Sequence, residues 1–218
     1  MRRRFDILDA WRTLAIALMI VYHFLYDLYI FGLLSPRQLF SAPMNLLERF
    51  ICCSFILLAG ASARFSRSNL RRALAVLAAA LAVELGAAVA GQTIRWGGLM
   101  LLGSSMALYH FLGKYLQKIP LAGLNLACAV LFFASRAWTE AAAVSVGWLY
   151  PLGFTAPGFY SADYFPLLPW FFLFLLGTGL GGWCLENREA PLLALRLPAA
   201  LTWPGRHSLV IYVLHQPV

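Results

Sequence analysis

The chain has 218 residues, of which 61% are hydrophobic and only 12% charged, against about 45–50% apolar and about 25% charged in an ordinary soluble domain. So little polar material excludes a water-soluble globular core. The net charge of +8 does not indicate nucleic acid either, because the basic residues fall in short gaps between apolar stretches, where they read as topology signals.

At about 20 residues per span, the apolar segments in chain order predict helices near 9–34, 45–63, 72–91, 96–113, 119–138, 165–184 and from 206 to the end. This is an all-α, polytopic membrane bundle of about seven transmembrane helices, forming one domain over residues 1–218. A signal peptide does not explain the apolar excess, since spanning stretches recur along the whole chain and no small-residue cleavage site follows the first. The last segment, HSLVIYVLHQPV, supplies little more than half a span. Arg2, Arg3, Arg4, Arg64, Arg67, Arg71, Arg72, Lys114, Lys118, Arg188, Arg196 and Arg206 fall on one side, while Arg37, Arg95 and Arg136 fall on the other. The positive-inside rule then predicts a multi-pass protein of the cell membrane with a cytoplasmic N-terminus, and outer loops at 35–44, 92–95 and 139–164. The longest of these, Thr139 to Tyr164, is rich in aromatics (Trp148, Tyr150, Phe154, Phe159, Tyr160, Tyr164) and suits a cap on the membrane surface or over a cavity. Cys52, Cys53, Cys128 and Cys184 all lie in apolar stretches without metal-ligand spacing, and read as reduced, buried, small hydrophobes.

An ionisable side chain inside a membrane costs roughly 2.5–3.5 kcal/mol on insertion scales, so those that persist face the bundle interior or a wet cavity. The first helix carries several. Arg12 and His23 are eleven positions apart, within about 20° of three full turns, which puts them on one stripe about 16 Å apart. Asp27 follows His23 by one turn. A carboxylate there can fix the imidazole tautomer and raise its basicity, as a general base acting on a hydroxyl or amine requires. The same spacing also fits a snorkelling Arg12 and a structural His23–Asp27 pair. Glu84 reads as structural, and Glu48 and Arg49 as interfacial. His207 and His215 are eight apart and about 80° out of alignment. Arg206 and His207 at a helix start would suit an anionic group. No Walker loop, dinucleotide fingerprint, nucleophile elbow or zinc spacing is present.

FDILDAWRTLAIALMIVYHFLYDL, with its Asp, Arg and His-x3-Asp positions, resembles the first helix of bacterial proteins related to heparan-alpha-glucosaminide N-acetyltransferase. Arg12 with His23 also fits the Arg-x10-His pattern of the similar acyltransferase type 3 family. RFICCSFILLAGAS, WGGLMLLGSSM, ADYFPLLPWFFLFLLGTGLG and GRHSLVIYVLHQPV resemble consecutive blocks of the same bacterial group. Thr13 and Met100 depart from it, standing where the group usually has Gly and His. The resemblance implies transfer of an acyl group, commonly acetyl, from cytoplasmic acyl-CoA (acetyl-CoA), without a metal, to a sugar-like acceptor reached from the outer side. It makes His23 the base, Asp27 its orienting group and Arg12 a donor contact, to which Arg206 and His207 add cationic groups. Asp163, Pro166 and Trp170 match the outer-end block, and Arg206, Ser208, Tyr212, His215 and Gln216 the terminal one. Of these, Asp163, Trp170, Ser208, Tyr212, His215 and Gln216 become candidate acceptor contacts. The expected partners are acyl-CoA, the acceptor and the lipid bilayer, with no role for nucleic acid, and the sequence leaves homo-oligomer formation open. The competing reading is a small carrier or flippase with a path through Arg12, His23, Asp27 and Glu84, or a non-enzymatic membrane subunit. A carrier predicts inverted repeats, and none is visible.

Overall fold

The computed structural model describes residues 5–142 and 146–215. Among them the chain forms α1 (Asp6–Ile30), α2 (Pro36–Leu39), α3 (Ala42–Phe65), α4 (Asn69–Val89), α5 (Gly98–Leu116), α6 (Leu121–Ala141), a 3-10 turn (Gly147–Leu152), α7 (Leu167–Glu186), α8 (Pro191–Ala194), α9 (Ala199–Arg206) and α10 (Ser208–Leu214). No strand occurs among the described residues. By length and composition α1, α3, α4, α6 and α7 can each cross a membrane. Bulky apolar side chains such as Phe24, Leu85, Val89 and Phe133 point outward on these helices, as a surface facing hydrocarbon requires. The protein is an all-helical, multi-pass membrane protein.

Two of the seven expected spans differ in detail. The fourth is present as α5, which carries His110 and Lys114 in its second half and is not among the helices apolar enough by length and composition to cross a membrane. The seventh is not one helix beginning at 206. Its helical region starts earlier, at Ala199, and is broken at His207 into α9 and α10. Pro198 and Pro204 explain why this stretch reads as a loop: Pro198 stands at the start, where a fixed φ is tolerated, and Pro204 lacks the N–H an interior position would use.

The described chain divides into two compact units, one of residues 5–55 with 187–215 and the other of residues 56–186. In the second unit α4 packs on α5, and α6 on α7. Apolar burial does not drive association inside a bilayer, so close backbone approach carries it, and small residues permit that approach. A Cβ on Gly60 of α3 would fall on the Phe174 carbonyl oxygen, and one on Gly177 of α7 on that of Leu57. Gly60→Leu is therefore expected to cost about 1–3 kcal/mol or more through forced separation of the two helices. A detergent-solubilised variant melting with the parent would show that the helices have room there.

The aromatic loop is ordered by its own side chains. Tyr150 stacks on Phe159 at 5.6 Å, Phe159 lies 4.9 Å from Tyr164, and Trp96 meets Tyr150 edge-on at 6.5 Å. Tyr164 donates a 2.7 Å hydrogen bond to the Tyr150 carbonyl, and burial pushes its phenol up to about 12, so it stays protonated. The segment after Gly158 is tied to the start of α5: the Ala162 amide donates to Thr93 O, the Phe165 amide to Trp96 O, and the Arg95 amide to Ser161 Oγ. Trp148 and Tyr160 remain largely exposed, as interfacial aromatics are.

Candidate active site

α1 organises the first unit. Its buried face carries Leu8, Ala15, Ile16 and Met19 together with two acids, Asp6 and Asp9, which are only 6% and 8% exposed. The first half of α3 runs antiparallel beside it: the Trp11 indole donates to Ser54 Oγ at 3.1 Å, and the Tyr22 hydroxyl donates to Glu48 Oε2 at 3.4 Å. α9 and α10 run parallel to it, and α9 lies close enough that a Cβ on Gly205 would strike the Asp9 carbonyl oxygen. Thr13 exploits that approach. Its hydroxyl accepts the Gly205 amide at 2.9 Å and donates to the Asp9 carbonyl at 3.1 Å, so the departure from the group's usual Gly clamps α9 onto α1.

A compact ionic network forms at this end. Asp9 accepts Arg12 Nη1 on one oxygen at 2.9 Å and Arg206 Nε on the other at 3.1 Å. Asp6 accepts Arg206 Nη2 at 3.2 Å and the Leu197 amide at 3.3 Å, with Arg196 Nη1 3.9 Å away. Two nearly buried carboxylates thus hold three guanidiniums, which leaves one positive charge over. Arg206 is still 34% exposed at its side chain. His207 takes a different direction from its neighbour: it stacks on Trp203 at 4.4 Å, places Nδ1 2.9 Å from the Trp203 carbonyl, and is exposed.

Further along the same helices His23 meets His215, ring centroids 4.8 Å apart and planes at 66°. Tyr22 flanks His23 at 6.2 Å, while Asp27, one turn on, acts on it through its charge. His215 is oriented by its own helix: Nδ1 lies 2.6 Å from the Tyr212 carbonyl, and Tyr212 packs edge-on to Phe55. Its Nε2 is buried and has no hydrogen-bond partner among the described residues. Ser208 opens α10 and is partly buried. Gln216 lies outside the described residues.

The structure therefore gathers Arg12, Arg206, His23, Asp27, Ser208, Tyr212 and His215 into the first unit, along α1 and its α9–α10 partner. Asp163 and Trp170 belong to the second unit. Asp163 accepts the Gly98 amide at 2.9 Å at the N-terminus of α5, and Trp170 packs against Phe132 and Phe165. Pro166 is buried beside them. Met100 lies in the first turn of α5, partly exposed. Glu84 is on the buried stripe of α4, with Oε1 buried and unpaired among the described residues. Asp6 and Asp9, which hold Arg12 and Arg206, do not stand out from hydrophobic patterning, although their spacing to Arg12, three and three again, places all three on one helical face.

Residues 4–217 match the family of the heparan-alpha-glucosaminide N-acetyltransferase catalytic domain. The chain belongs to this family. The match spans both units, so the acid-and-arginine network and the two imidazoles are features of a catalytic domain of the heparan-alpha-glucosaminide N-acetyltransferase family, a family of membrane acetyltransferases. Comparison with curated proteins and with solved structures gave no match.

Proposed function

We propose that this protein transfers an acetyl group from acetyl-CoA to the hydroxyl or amine of a sugar-like acceptor, the donor entering from the cytoplasmic side and the acceptor from the outer side. The observation that carries the reading is the pairing, on one stripe of α1, of an arginine network at one end with an imidazole pair further along, within a chain of this acetyltransferase family. Arg12 and His23 are about 16 Å apart along the helix, a span comparable with the extended pantetheine arm between the phosphates of coenzyme A and its thioester. The surplus positive charge of the network suits those phosphates, and Arg206 and Arg12 are the groups to hold them through charge-assisted hydrogen bonds. His207, exposed at the break between α9 and α10, is a further cationic contact. At the other end His23 takes the acceptor's proton as the thioester carbonyl is attacked. The charge of Asp27 favours the imidazolium that forms, and Ser208 and Tyr212, on the helix that runs beside α1, contribute acceptor contacts. A cytoplasmic N-terminus follows from the excess of Arg and Lys on that side.

Saturable binding of acetyl-CoA by the purified protein tests the donor assignment. Arg12→Ala should weaken it about tenfold or more, the size of a hydrogen bond to a charged group. In sealed vesicles the impermeant donor should serve only when the cytoplasmic face is outward. Undiminished donor affinity in Arg12→Ala would remove Arg12 from the site, and equal use of the donor from either face would remove the sidedness.

A further inference from the structure

The environment of His215 determines which of its nitrogens carries the proton. A backbone carbonyl can only accept, so the 2.6 Å contact between Nδ1 and Tyr212 O requires the hydrogen on Nδ1. Nε2 then presents a lone pair. That atom is buried in a membrane protein without a partner among the described residues, a condition that costs free energy unless a donor reaches it. The ring of His215 packs against that of His23, at 4.8 Å between centroids, and a neutral imidazole carries one N–H. The neighbouring Tyr22 hydroxyl is directed to Glu48 instead.

We propose that His215 is the positioning residue for His23. Its Nε2 accepts the His23 N–H, and this holds His23 in the tautomer whose other nitrogen bears the lone pair facing the acceptor. The edge-to-face angle of 66° is that of the protein without substrate, and hydrogen bonds between catalytic groups commonly tighten only in the substrate complex. The role rests on the acetyl-transfer reading and divides the work around His23: Asp27 supplies charge, and His215 supplies orientation. As the acceptor oxygen or nitrogen attacks, the C–O or C–N bond forms and His23 takes the acceptor's proton. The imidazolium keeps its other N–H on His215. When the C–S bond breaks, the thiolate of coenzyme A takes the proton from His23, which returns to its starting tautomer.

The experiment pairs 15N-histidine spectra of the full chain in detergent, saturated with coenzyme A to occupy the donor site, with acetyl-transfer kinetics, the four histidines being assigned by single substitution. In the parent His23 should show one tautomer. His215→Phe keeps a ring but removes the lone pair. It should let His23 average between tautomers and lower kcat about 10- to 100-fold, the range seen when the partner orienting a ligating imidazole is removed, with KM for acetyl-CoA unchanged. His215→Gln, whose amide can donate to the Tyr212 carbonyl and accept from His23, should recover most of both. His215→Asn, too short to reach, should behave like His215→Phe and replaces it if that variant does not fold. An unaltered His23 tautomer in folded His215→Phe or His215→Asn overturns the proposal. A scrambled tautomer with undiminished kcat leaves the pairing intact and instead sinks the reading of His23 as the base.

Discussion

Replacing His23 with alanine is expected to leave a folded, acetyl-CoA-binding protein whose turnover has fallen about 10²–10⁴-fold, the usual contribution of a general base. The expectation follows from the position of the ring. It sits on the stripe shared with Arg12, one turn from Asp27 and against His215, while the ionic network that holds α9 to α1 lies about 21 Å away at Asp9. Removing the imidazole therefore leaves that network intact. Asp27→Asn should lose less, since the ring and its His215 neighbour remain and only the charge acting on it is gone. If the pair were structural, both substitutions would lower melting temperature and yield while the folded fraction kept its specific activity. Full specific activity in His23→Ala would end the base assignment.

Asp9→Ala should have the largest effect on stability, about 3–5 kcal/mol, the cost of removing one partner from a buried ion pair. Asp9 is almost buried and divides its two oxygens between Arg12 and Arg206. Its loss leaves the mostly buried Arg12 guanidinium without a carboxylate in this network and Arg206 with Asp6 as its remaining acid. The figure belongs to the buried Asp9–Arg12 contact, because Arg206 is 34% exposed and solvent screens its share. Asp9→Asn, which keeps an acceptor oxygen but not the charge, should fall between the two. Thermal unfolding of the three proteins in the same detergent measures this, and coincident melting curves would show that the network carries no stability. Because Arg12 loses its Asp9 contact and Arg206 one of its two acids, acetyl-CoA affinity should fall in the same variant even where it remains folded.

Much of this protein is legible locally. The apolar runs locate α1, α3, α4, α6 and α7 because a membrane helix needs about 20 apolar residues in sequence, and satisfies its own backbone within that segment. The stripe of Arg12, His23 and Asp27 follows from 3.6 residues per turn, and the ordered blocks resembling the acetyltransferase family follow from the sequence alone. The C-terminal region is not legible where prolines interrupt it: α9 exists because Pro198 starts a helix and the α1 surface accepts Gly205 at close range, neither of which is visible as hydrophobic periodicity. Arg206 and His207 look like one cationic pair in sequence. The tertiary structure separates them, turning Arg206 onto acids 197 and 200 residues away while His207 lies on Trp203. The apposition of His215 and His23 belongs to the same class. Composition and periodicity are properties of short windows, and so they determined the membrane class and the face of each long helix. Which faces meet depends on close packing and charge pairing between segments nearly the whole chain apart, and no local pattern encodes that.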